Sequence, residues 1–172
     1  MINRLTFKET LCLIPAFLAI HNFEEILTIV DFSKEALKGM KITLIQPYNF
    51  WQMSASIILI TITVTVLTLI FFRSEKRSPG IVLLLSVQAL LFVNALTHIL
   101  SAIYFFKYAP ALFTSIFLYV PFTIYLFKRA LDEGYIIKKE AVIAFIAGII
   151  LYLPSVLIFL KMGNAITSFL GL

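Results

Sequence analysis

The chain alternates between long apolar runs and short clusters of charge. Five runs approach the length that carries a helix across a bilayer, about 20 residues at roughly 1.5 Å each. They cover about residues 10–30, 51–72, 80–106, 111–128 and 139–161. None alternates with period 2, so the pattern predicts helices rather than a barrel. The first run carries the largest anomaly. After Leu11, Leu13, Ile14, Ala16, Phe17, Leu18, Ala19 and Ile20 come His21, Glu24, Glu25 and Thr28. These stand at i, i+3, i+4 and i+7 and share one helix face. The stripe is polar and its surroundings are apolar, so it should turn away from lipid. A charge at the bilayer centre costs roughly 2.5–3.5 kcal/mol. The alternative puts Glu24 and Glu25 at headgroup level, simply hydrated; against it, Ile26, Leu27, Ile29 and Val30 still follow.

Residues 31–49 read as a linker, either an amphipathic interfacial helix built on Phe32, Ala36, Leu37, Met40 and Leu44 or a solvated loop. Pro47-Tyr48-Asn49 ends it, and Trp51 is an expected interfacial anchor. The second run holds Thr61, Thr63, Thr65 and Thr68. Ser54, Thr61, Thr65 and Thr68 form one face, best read as hydroxyls bonding back to their own helix at a packing surface. Arg73-Ser-Glu-Lys-Arg-Ser-Pro-Gly80 makes a basic turn. The third run repeats the polar spacing in Asn94, Thr97, His98 and Ser101. Lys107-Tyr-Ala-Pro110 turns into the fourth run, where Pro121 should disturb the helix and free the Phe117 carbonyl. Asp132-Glu-Gly134 turns again. The fifth run contains Pro154, a face with Gly148, Tyr152 and Ser155, and an Ala144/Gly148 pair suited to close helix approach. A short apolar tail follows, and there is no internal repeat beyond the two polar stripes.

Composition agrees with this pattern. The chain is 61% hydrophobic and 13% charged, with mean hydropathy +1.01, the profile of an integral membrane protein. The expected fold is all-α: a single five-span membrane bundle over residues 1–172. The net charge of +5 lies at helix ends, which suits lipid headgroups and argues against nucleic acid. Nine basic residues (Arg4, Lys8, Arg73, Lys76, Arg77, Lys128, Arg129, Lys138, Lys139) fall on one side and five (Lys34, Lys38, Lys41, Lys107, Lys161) on the other. That bias places the N-terminus in the cytoplasm and the C-terminus outside a multi-pass cytoplasmic membrane protein. The start mimics a signal peptide, but no small-x-small site precedes the charged segment, so retention is expected. Cys12 is the single cysteine, which excludes a disulfide framework or thiolate cluster.

Topology and spacing together give a site. The first and third spans run the same way, and each histidine sits about 12–14 Å below the outer end. His21, Glu24, Glu25, Asn94 and His98 therefore share one level. Imidazole and carboxylate suit zinc, iron or manganese, and i, i+4 spacing brings both onto one ion. Three readings stand: a metal site, a metal-free acid–base site for a double-bond shift or proton relay, and a structural network. The expected function is a membrane enzyme acting on a lipid-like or other hydrophobic substrate. In it, His21, Glu24, His98, Glu25 and Asn94 serve as ligands or orienting partners. Glu25 and Glu24 are also the acid–base candidates, and Tyr152 is a possible hydroxyl donor beside its packing role. A proton-coupled transporter and a structural subunit are the rivals, and oligomerisation is open. His-x-x-Glu-Glu is not the His-Glu-x-x-His of metalloproteases and lacks its specificity.

His21-Asn-Phe-Glu-Glu25 with Asn94-Ala-Leu-Thr-His98 resembles the HXXEE family of small prokaryotic integral membrane proteins. Tyr108-Ala-Pro110 followed by Thr114 resembles its third segment, where relatives often carry Gly at the position of Ala111. The resemblance covers most of the chain. It implies that His21, Glu24, Glu25, Asn94 and His98 are signature positions, and it supplies no substrate.

Overall fold

The computed structural model describes residues 5–39 and 49–172. Among them there is helix and no strand: α1 (Phe7–Leu11), α2 (Leu13–Gly39), α3 (Phe50–Phe71), α4 (Pro79–Phe105), α5 (Leu112–Thr114), a π-helical turn (Ser115–Tyr119), α6 (Val120–Asp132) and α7 (Lys138–Leu170). Four stretches, Phe7–Gly39, Phe50–Phe71, Pro79–Phe105 and Lys138–Leu170, are long and apolar enough to cross a membrane. The fourth expected span is broken into α5, the π turn and α6.

Local chemistry sets these ends. Thr6 caps α1 and receives the Glu9 carboxylate on its own N–H (2.7 Å). Pro15 lacks the N–H that would reach the Leu11 carbonyl, and the chain breaks at Cys12 between α1 and α2. Asn49 and Gln52 form a reciprocal cap on α3, with bonds of 2.8 and 3.1 Å. Ser78 caps α4, with Pro79 in its first turn. Trp51 lies in the first turn of α3, exposed.

Several expected boundaries move. The linker's first part continues α2 as far as Gly39; residues 40–48, with Pro47 and Tyr48, lie outside the described residues. The fifth helix runs past Lys161 to Leu170: Gly163 stays helical, packed closely on Ser56 and the Gln52 carbonyl of α3, and the left-handed cap comes only at Gly171. Pro121 does disturb its helix, as a π turn in which the Val120 N–H reaches back to the Ser115 carbonyl.

One end of the bundle gathers α1, the 72–78 turn and the 133–137 turn. Phe7 N–H donates to Glu133 Oε1 (2.8 Å), Arg77 N–H to the Tyr135 carbonyl (2.9 Å) and Lys76 Nζ to the Glu133 carbonyl (2.7 Å). The other end joins Glu35 to Lys107 (2.6 Å) and Gln52 to Asn164 (2.6 Å). The apolar core occupies the first end: Phe7, Leu11, Ile14, Leu18, Ile81, Leu84, Leu85 and Leu126 are at most 2% exposed. Outer faces carry exposed Leu27, Leu69, Leu100, Ile150 and Leu153, which suits contact with hydrocarbon.

Close packing fixes the helix pairs. A Cβ added at Gly148 would lie 2.7 Å from Ala89 Cβ and from the Leu90 nitrogen. The Ala144/Gly148 face of α7 thus lies directly on the α4 backbone. The α3 threonines behave as expected: Thr61, Thr63, Thr65 and Thr68 donate to the carbonyls four residues back, at 2.7–2.8 Å; the Ser54 hydroxyl, expected to do the same, is buried without a hydrogen bond among the described residues. Thr61 also accepts the Asn22 amide (2.7 Å), which ties α2 to α3.

Candidate functional site

The buried faces of α2 and α4 change character at one level. On α2, Ile14 and Leu18 give way to His21 and Asn22; on α4, Leu84, Leu85 and Leu91 give way to Asn94 and His98. The two imidazoles face each other with ring centroids 5.3 Å apart. The shared depth does not come from matching helix ends, since α2 runs nine residues beyond Val30. It comes from the register of the two polar stripes.

His21 is 1% exposed. Its Nδ1 lies 2.8 Å from Thr114 Oγ1. Thr114 gives its own hydroxyl proton to the Ala111 carbonyl (3.2 Å), so the threonine oxygen is the acceptor and His21 Nδ1 carries the hydrogen. The Nε2 lone pair then points inward, the arrangement a ligating histidine needs. Tyr119, from the π turn, packs its ring 4.7 Å from that of His21.

Asn94 sits between the two histidines. Its Nδ2 lies 3.4 Å from His21 Nε2 and 3.2 Å from His98 Nε2. Thr97 donates to the Asn94 carbonyl (2.7 Å), which makes Tyr152 the donor, shared between Asn94 Oδ1 (3.2 Å) and Thr97 Oγ1 (3.0 Å). The Tyr152 hydroxyl therefore orients the amide, and the amide presents N–H groups to both imidazoles. The Tyr152 hydroxyl thus bonds Asn94 and Thr97.

Glu25 completes the group. Its Oε1 is 3.8 Å from His98 Nε2, and its side chain is 12% exposed. One donor atom from each of His21, Glu25 and His98 lies within 4.8 Å of the others. No hydrogen bond to the Glu25 carboxylate occurs among the described residues, so three electron-rich atoms converge with one amide to serve them. Such a cluster could hold a metal ion or share a proton.

Glu24 does something else. It does not join the His21–Glu25–His98 group, which departs from the expectation of a shared centre. Its Oε1 accepts from the Tyr108 hydroxyl and the Phe113 N–H (3.0 Å), and its Oε2 accepts from the Thr114 N–H (2.9 Å). Burial, and then the Glu24 carboxylate, raise the Tyr108 hydroxyl above the ordinary tyrosine range, so this bond persists at neutral pH. Glu24 fixes the backbone of Thr114, which in turn holds His21. Ala111, just before, has φ +52°, a left-handed conformation that glycine adopts without strain.

The acid and His98 border a cavity of about 280 Å³ between α2, α3, α4 and α7. Asn22, Thr114 and Tyr119 had no assigned part in the sequence reading. Thr114 was signalled only by the Tyr108-Ala-Pro110 segment before it, and Asn22 by its place inside the pentapeptide.

The fold and site define an all-helical protein of long apolar helices enclosing a histidine–glutamate cluster. The chain belongs to the family described as "Protein of unknown function with HXXEE motif", which matches residues 12–126. No curated protein matches the chain, and no solved structure matches it.

Proposed function

We propose that the protein is a metal-dependent membrane enzyme acting on a lipid-like substrate. It crosses the cytoplasmic membrane five times, with its N-terminus inside and the candidate centre in the outer half. The observation that carries this reading is the convergence of one ligand atom from each of His21, Glu25 and His98 beside a largely apolar cavity. Their spread, up to 4.8 Å, must contract toward the roughly 3.3 Å that bonds of about 2.0–2.1 Å to a tetrahedral ion imply. Side-chain rotation can supply that change.

His21, His98 and Glu25 would hold zinc, iron or manganese, and such an ion would polarise a substrate oxygen or activate water. Asn94 orients both imidazoles and can donate to a bound oxygen. Tyr152 and Thr97 position Asn94. Thr114 and Glu24 keep His21 in the ligating tautomer. The largely apolar surroundings lower the local dielectric, which strengthens charge interactions inside.

A metal-free acid–base centre is the second reading, favoured by the His98–Glu25 contact at 3.8 Å, where one shared proton could sit. Elemental analysis after chelator-free purification separates the two. The metal reading expects about one ion per chain, lost in Glu25→Gln. Ion-free protein that retains activity in its native membrane would overturn it.

A further inference from the structure

The cavity beside Glu25 and His98 narrows the class of substrate; the inference rests on those residues being the reacting centre. At roughly 30 Å³ per water-sized unit, its volume of about 280 Å³ holds about nine non-hydrogen atoms. A two-chain membrane lipid is several times larger.

Several polar groups of the wall are already engaged within the protein. Ser56 spends its proton on the Gln52 carbonyl (2.7 Å), Thr97 on the Asn94 carbonyl (2.7 Å), and the Asn22 amide lies on Thr61 (2.7 Å). The acid of Glu25 and the imidazole of His98 remain, with the hydroxyls of Ser101 and Ser155 also on the wall. Beyond them, toward the end that joins Gln52 to Asn164, the wall is Ile29, Phe32, Met53, Phe159 and Leu160. From Glu25 to Phe32 the α2 stripe advances about 10 Å.

We infer that the ligand is a single-chain amphiphile with an oxygen-bearing head group at Glu25 and His98. Head and tail together come to about nine non-hydrogen atoms, with the apolar tail between Phe32, Met53 and Phe159.

The test uses the full chain in phosphatidylcholine vesicles. Diazirine-bearing primary alcohols of about eight and about sixteen carbons, and a two-chain phospholipid with the same photogroup, are crosslinked and mapped by mass spectrometry. The short alcohol should label Met53, Ile57 or Phe159 about tenfold more efficiently than the long one. The phospholipid should label outward residues such as Leu69 and Ile150. Ile57→Trp on α3 and Val156→Phe on α7, both lining the cavity, should each cut short-chain labelling about tenfold while the helical content is kept. Equal labelling by both alcohols, phospholipid on the inner wall, or full labelling in both folded variants would overturn the inference. Ion content, measured on the same samples, separates this outcome from the metal reading. Chain selectivity in ion-free protein sustains the inference and removes the metal; ion-loaded protein without selectivity removes the inference alone.

Discussion

At Glu24 and Glu25, adjacent carboxylates meet opposite environments. Glu24 accepts three hydrogen bonds, two from backbone N–H groups; Glu25 accepts none among the described residues and faces His98. A charge-assisted bond is worth about 1.5–3 kcal/mol, and an unpaired buried carboxylate costs at least as much. Glu24→Gln should therefore lower stability by about 1–3 kcal/mol, seen as a reduced thermal midpoint in detergent. Glu25→Gln should leave that midpoint level or higher while abolishing ion binding. Thr114→Val removes the acceptor at His21 Nδ1 and should weaken ion affinity about 10–100-fold, read by competition with a chelating dye. The sequence showed both acids on one stripe but not their division. Successive residues differ by about 100° around a helix, and which acid meets a backbone was decided by Thr114, 90 positions away.

At the level of elements, the polar stripes of α2 and α4 were legible because i, i+3, i+4 spacing survives any error in helix ends. Helix ends were less legible. Val30 looked terminal because Asp31, Lys34 and Glu35 follow it, yet helical bonding continues to Gly39. Charged residues end an apolar run without ending a helix. Pro121 announced a disturbance, but not that the relaxed turn would be π-helical and would bring Tyr119 onto His21; π turns occur often at functional sites. The Ala144/Gly148 pair was legible as a close approach. Gly148→Ala would place a methyl 2.7 Å from Ala89 Cβ and the Leu90 nitrogen, where backbone must move. A loss of about 1–3 kcal/mol is expected, checked by thermal or denaturant unfolding. The shift of α4 should also disturb His98.

For the whole molecule, apolarity and run length were enough to indicate a helical membrane-type bundle, while handedness of insertion rests on the nine-to-five charge bias. With Cys12 replaced by Ala, single cysteines at Ser74 and Leu172 should react with an impermeant maleimide on opposite sides of the membrane: Leu172 in intact cells, Ser74 only after permeabilisation. The reverse pattern would invert the bundle and put the centre nearer the cytoplasm. The claim beneath the functional reading is that α2 and α4 jointly hold one ion. X-ray absorption on the loaded protein measures that directly. Two imidazole nitrogens at about 2.0–2.1 Å with a carboxylate oxygen at about 2.0–2.2 Å are expected, with one imidazole lost in His21→Ala and one in His98→Ala. An all-oxygen shell, or a spectrum unchanged in both variants, would contradict it.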